Sequence, residues 1–69
     1  MKLLDVVALL DDVTEKALRR GQVGTIVEVL APGVFEVEFS DLEGRAYAAA
    51  ALPATRLMVL HHQPTSALD

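Results

Sequence analysis

The stretch Arg20 to Phe39, RGQVGTIVEVLAPGVFEVEF, decides the fold, because it reads as two β-strands folded back on each other through Ala31-Pro32-Gly33. Pro32 presets φ for the first central position of a type II turn, and Gly33 accepts the positive φ needed at the second. After the turn, Val34-Phe35-Glu36-Val37-Glu38-Phe39 alternates strictly, so Phe35, Val37 and Phe39 share one face while Glu36 and Glu38 share the other. One face is core and the other is wet. Before the turn, Thr25-Ile26-Val27-Glu28-Val29-Leu30 is rich in β-branched residues, but its apolar side chains fall on both faces. A strand partly covered on its second side accounts for that, and so does a bulge near Gly24 that resets the alternation.

Working outward, Leu3 to Leu10 is a short apolar run with one charge, Asp5, and reads as a first strand buried for most of its length. Asp11 to Gly21 carries helix punctuation, with acids at the start, Lys16, Arg19 and Arg20 at the end and Gly21 at the stop position. Asp12 would cap it, with Glu15 three residues on. The competing reading is an irregular loop that tucks Val13 and Leu18 against the sheet. On the other side, Ser40-Asp41-Leu42-Glu43-Gly44 has the content of a hairpin loop, with Gly44 in the left-handed position. Ala46 to Ala51 favours helix by local propensity. Gly44 before it, Pro53 after it and the need of a lone hairpin for further pairing make it a strand instead. Leu52 to Arg56 reads as a tight turn or one turn of 3₁₀ helix, followed by a last strand from Leu57 to His61.

Five short strands joined by tight turns predict an all-β fold, a small closed or half-open barrel with a short helical turn or loop after the first strand. The expected inward set is Val7, Leu9, Val23, Val27, Val29, Phe35, Val37, Phe39, Leu52, Leu57 and Val59. Residues 1–61 form the single domain, and 62–69 read as a disordered tail.

Composition narrows the function classes. A 69-residue chain without cysteine has no disulfide or thiolate metal site to supplement a small core. Met1-Lys2 is followed by an apolar run broken at Asp5, which is not a signal-peptide pattern, and the expected location is cytoplasmic. The formal net charge of −4 argues against a general affinity for nucleic acid or anionic lipid. Adjacent His61 and His62 would point to opposite faces of a strand and do not share one ion. Glu36 and Glu38 have the spacing of an acid–base pair, yet no nucleophile or oxyanion donor accompanies them. Ser40 and Ser66 lack a histidine–carboxylate context, and Gly21-x-x-Gly24 lacks the Lys and Ser/Thr of a phosphate loop. The expectation is a non-enzymatic protein with no catalytic residue, no cofactor and no metal.

Gly21-Gln22-Val23-Gly24-Thr25-Ile26-Val27-Glu28-Val29 resembles the opening of SH3-like barrels of the KOW kind, where a glycine sits as the chain turns into a strand. Together with Asp5 to Leu9, Phe35 to Phe39, Asp41-x-x-Gly44 and Leu52-Pro53, the chain to about Leu60 resembles the DUF4926 family of small bacterial proteins. The resemblance implies an SH3-like barrel and a bacterial cytoplasmic setting, and it transfers no functional residue. The alanine-rich fourth strand departs from the family's pattern.

Charge placement suggests partners. Between Gly21 and Gly44 every charged residue is acidic, namely Glu28, Glu36, Glu38, Asp41 and Glu43, whereas Lys16, Arg19 and Arg20 cluster just before. An acidic hairpin of this kind suits docking on a basic protein partner, as an antitoxin- or immunity-like neutralising protein would, with like charge imitating phosphate. The alternative is a KOW-like RNA-binding or ribosome-associated module using Lys16, Arg19, Arg20, Arg45 and Arg56, although with one Tyr and no Trp the chain offers little to stack bases. A third expectation is a homo-oligomer formed through Tyr47 and its flanking alanines, set against the plainer reading that Ala48 and Ala50 fill a narrow barrel end.

Overall fold

In a computed structural model of the chain, residues 1–62 are described. The expected tail lies outside them apart from His62. Five antiparallel strands form one sheet: β1 (Val6–Leu9), β2 (Val23–Ala31), β3 (Val34–Ser40), β4 (Ala46–Pro53) and β5 (Leu57–Val59). Their spatial order is β4-β3-β2-β1-β5, which leaves β4 and β5 as the two edges of an open sheet. The fold is all-β, as the alternation and turn chemistry require, and the sheet does not close by hydrogen bonding among the described residues.

The central hairpin forms as its turn dictates. Ala31 pairs with Val34, and Gly33 carries φ +74°. The register of β2 against β3 shifts twice, between Ile26 and Glu28 and between Val29 and Ala31. Each shift sets two residues of β2 against one of β3, so Val27 and Leu30 are bulged. Bulges add local right-handed twist, which curls the two strands around the core.

The core lies on the face carrying Phe35, Val37 and Phe39, packed with Val7, Leu9, Ile26, Ala50, Leu52 and Leu57. Three residues expected inside are not: Val23, Val27 and Val29 are all more than 40% exposed. Gly24 and Ile26 hold the inward positions instead, so the strand runs in the opposite phase to the one expected. The bulge at Val27 then breaks that phase, and Val29, although opposite the buried Phe35, is itself left exposed. Val59 is half-buried against the cluster.

Gly24 explains the phase. A Cβ there would lie 2.7 Å from Val37 Cγ1, 2.9 Å from the Glu38 carbonyl oxygen and 3.0 Å from Phe39 Cδ2. The residue is glycine because the β3 side chains cross directly over it.

Between β1 and β2 the chain makes a single 3₁₀ turn, Thr14–Lys16, rather than a capped helix. No side chain caps it; Asp12 Oδ1 instead accepts from the Arg20 backbone N–H at 2.8 Å. Ala17, not Gly21, follows the turn in the left-handed conformation, with φ +56°. Val13 bridges Leu18, and both are buried, so the loop lays two apolar side chains on the core. A second 3₁₀ turn, Ala54–Arg56, links β4 to β5. Its Arg56 side chain reaches back to the first loop, donating from Nε to Asp11 Oδ1 at 2.9 Å and from Nη2 to the Asp12 carbonyl oxygen at 2.7 Å.

The alanine segment is a strand. Ala48, Ala50 and Leu52 turn towards the core, while Ala49 and Ala51 are exposed on the other face. Ala50 opposite Val37 and Ala48 opposite Phe39 supply the small volume that the large β3 side chains need.

Candidate functional site

The outer face of β2, β3 and β4 carries the charge pattern that the sequence singled out. Glu28 stands directly opposite Glu36 across the β2–β3 ladder, and Glu38 follows two residues along on the same face, opposite Thr25. Directly opposed side chains in an antiparallel pair sit about 5 Å apart at Cβ, close enough for like charges to repel. Among the described residues none of these carboxylates takes part in an ion pair. On the far side of β3 the same rows continue into alanine: Glu38 faces Ala49 and Glu36 faces Ala51.

The other acidic residues belong to a different structure. Asp41 caps its own loop, its Oδ1 accepting from the backbone N–H of Glu43 at 2.9 Å and of Arg45 at 3.0 Å. Arg45 pairs with Glu43 at 2.8 Å and lies 3.6 Å from Asp41, so two of the five expected acids carry their own counter-charge. Gly44 closes this loop at φ +83°. Tyr47 is the extra residue of a bulge in β4, and its hydroxyl accepts a hydrogen bond from Gln22 Nε2 at 3.1 Å. It is thereby tied to the start of β2. Gln22 in turn accepts from the Arg19 backbone N–H.

The basic residues divide. Lys16, Arg19 and Arg20 are exposed on the β1–β2 loop, beside a shallow depression lined by Asp12, Thr14, Ala17, Leu18 and Arg19. Arg45 and Arg56 are engaged in the ion pairs described above. His61 and His62 are exposed at the end of the described chain, and among the described residues no three His, Cys, Asp or Glu side chains gather as a metal site. The Asp5 carboxyl is held below the ordinary range, first by the hydrogen bond from the Lys2 side chain and then by that from the Lys2 backbone N–H. No helix of the described residues is long and apolar enough to cross a membrane.

The family model for DUF4926, a domain of unknown function, matches residues 3–59. The chain belongs to the DUF4926 family. The match runs from before β1 to the end of β5, and so takes in the whole sheet with its acidic face. Comparison with curated proteins and with solved structures gave no match.

What sequence reasoning missed is the placement of Ala49 and Ala51. Their position beside Glu38 and Glu36 depends on the β3–β4 register, which no local signal announces.

Proposed function

We propose that this DUF4926 protein is a non-enzymatic, SH3-like protein–protein interaction module whose acidic β2–β3 hairpin docks on a basic protein, as a neutralising partner of the antitoxin or immunity kind. The observation that carries this reading is the row of Glu28, Glu36 and Glu38 on one face, with two of the three directly opposed and none in an ion pair among the described residues. Such an arrangement costs the isolated fold stability, because like charges in opposed positions repel. A basic surface placed over it would convert that cost into steering and specificity.

The RNA-binding alternative has less support. Of its five cations, Arg45 and Arg56 are engaged with carboxylates, and Tyr47, the one exposed aromatic, is hydrogen-bonded to Gln22. Affinity capture from the source organism's lysate tests the proposal, run at low and high salt with the wild type beside a Glu28→Gln, Glu36→Gln, Glu38→Gln variant. The expected result is a basic protein retained by the wild type at low salt, released at high salt and not retained by the variant. Equal retention by both chains refutes the acidic-face reading, and a nucleic acid retained in place of protein favours the alternative.

A further inference from the structure

The outer edge of β4 is a strand of eight residues that pairs with β3 on one side and with nothing on the other among the described residues. The ladders fix where its backbone groups point. Ile26 N donates to Asp5 O, and Leu60 N to Val6 O, which turns Val7 and Gly24 into the β1–β2 ladder. Alternation then sends Thr25 and Glu38 into the β2–β3 ladder, and Val37 and Ala50 into the β3–β4 ladder. The N–H and C=O groups of Ala49 and Ala51 therefore face the open side. The bulge at Tyr47 bends only the start of this edge, and from Ala48 to Leu52 the other usual guards are missing, since no charged residue lies there and proline enters only at the end, Pro53.

We infer that the edge of β4 accepts an extended basic segment of a partner protein as a sixth strand, with Lys or Arg at alternate positions lying over Ala49 and Ala51 to reach Glu38 and Glu36. The site is the unpaired backbone, and the carboxylates select its occupant. A strand added at normal spacing lies two strand separations from β3, about 9.5 Å, with β4 between them. Any larger side chain on β4 would obstruct that gap. At Ala49 and Ala51 only a methyl group intervenes, so a long cationic side chain from one side and a glutamate from the other can meet above it. Directly opposed residues share a face, so the partner's cations must recur with period two, one for the Ala49–Glu38 row and one for the Ala51–Glu36 row. A second copy of this chain is the poorer occupant: its β4 carries no cation between Ala46 and Pro53 to offer these carboxylates. Main-chain pairing gives affinity and the alternate side chains give specificity, as in other strand additions.

The inference rests on the reading of the acidic face as a docking surface and specifies how that face is used. It is tested with synthetic peptides. The probe is a blocked heptapeptide of sequence Thr-Arg-Val-Arg-Val-Arg-Thr. Its controls are an isomer with the three arginines adjacent and an analogue with glutamate for arginine, each titrated by fluorescence anisotropy at low salt. The alternating peptide is expected to bind at least tenfold more tightly than the isomer, with no binding of the acidic analogue and with slowed amide exchange at Ala49 and Ala51. Ala49→Pro removes an outward-facing N–H that β3 does not use, a change edge strands accept, and should abolish binding. Ala49→Leu keeps the backbone donor but fills the gap, and should cost at least tenfold, so a Pro variant that failed to fold would not spare the idea. Equal binding of the two basic isomers, or unchanged binding by Ala49→Leu, overturns strand addition while leaving a less specific acidic docking face intact. If no peptide binds, strand addition is again overturned, and the fate of the docking face is read independently from the lysate capture. Binding of the acidic analogue as tightly as the basic one, or dimerisation of the chain in place of peptide binding, overturns the choice of a basic occupant.

Discussion

Gly24→Ala should destabilise the protein although it adds one methyl group to an ordinary extended residue. The backbone at Gly24 has no positive φ, so the effect is steric and separable from the turn glycines Gly33 and Gly44. The new Cβ would meet Val37 Cγ1 at 2.7 Å and the Glu38 carbonyl oxygen at 2.9 Å. The valine can shift in part, whereas the carbonyl belongs to the ladder that joins β2 and β3. Overpacking of this kind costs about 1–3 kcal/mol. Alanine restores about 0.4–1 kcal/mol by restricting the unfolded chain. The net expectation is a loss of about 1–2 kcal/mol, which for a domain of this size lowers the melting temperature by roughly 4–8 °C per kcal/mol.

Urea unfolding followed by circular dichroism measures the loss, and a double-mutant cycle with Val37→Ala locates it. Removing Val37 Cγ1 frees the tightest contact, so Gly24→Ala should cost less in that background, by at least about 0.5 kcal/mol, with a residue left from the carbonyl. A Gly24→Ala midpoint equal to or above that of the wild type would refute the packing account. So would strict additivity with Val37→Ala.

Phe39 is fully buried near the C-terminal end of β3, and Phe39→Ala should cost about 3–5 kcal/mol, enough to leave so small a domain largely unfolded at 37 °C by circular dichroism. Asp5 has a folded pKa below its unfolded value, so its interaction with Lys2 stabilises above the ordinary carboxyl range, near pH 3.9, and is lost as pH falls through the lower folded value. Melting curves of wild type and Asp5→Asn should therefore differ at pH 6 and draw together as the pH is taken below the ordinary carboxyl range, and a gap that widened on acidification would contradict the sign. Arg56→Ala removes both the pair with Asp11 and the bond to the Asp12 carbonyl, and should cost about 1 kcal/mol at low salt, with the ion-pair share shrinking in high salt, as urea midpoints would report. Glu36→Gln relieves the opposition to Glu28 and should raise the melting midpoint by an amount corresponding to a few tenths of a kcal/mol, where a fall would mean that the face is not repulsive.

The central hairpin was legible because two independent signals agreed there, a Pro-Gly turn and strict alternation from Val34 to Phe39. The phase of β2 was not. A glycine gives no hydropathy signal, so the inward position of Gly24 is invisible to alternation, and the bulge at Val27 removes the periodicity that would have corrected the error. The alanine strand ran against its own helix propensity and became legible only through its flanking glycine and proline and the hairpin's need for another strand. The acidic face could be listed from sequence, but its division could not: Asp41 and Glu43 are claimed by Arg45, and Glu28, Glu36 and Glu38 are left together. The clamp from Arg56 to Asp11 spans most of the chain and has no local signature.

The opposed glutamates and the unguarded alanine edge are both features that stability alone would remove, and single substitutions would remove them. They lie on adjacent strands and share rows, Glu36 with Ala51 and Glu38 with Ala49. Stability and docking should therefore respond in opposite directions to one change. Glu36→Gln is expected to strengthen the fold while weakening its hold on the alternating arginine peptide, whereas Ala49→Leu should alter binding with little effect on folding, since that side chain is exposed. A core defect such as Gly24→Ala instead lowers stability and leaves peptide affinity unchanged wherever the chain is still folded. If all these substitutions moved stability and binding together, the edge would be reporting only the integrity of the sheet, and the association of open backbone with unpaired carboxylates would be a by-product of packing.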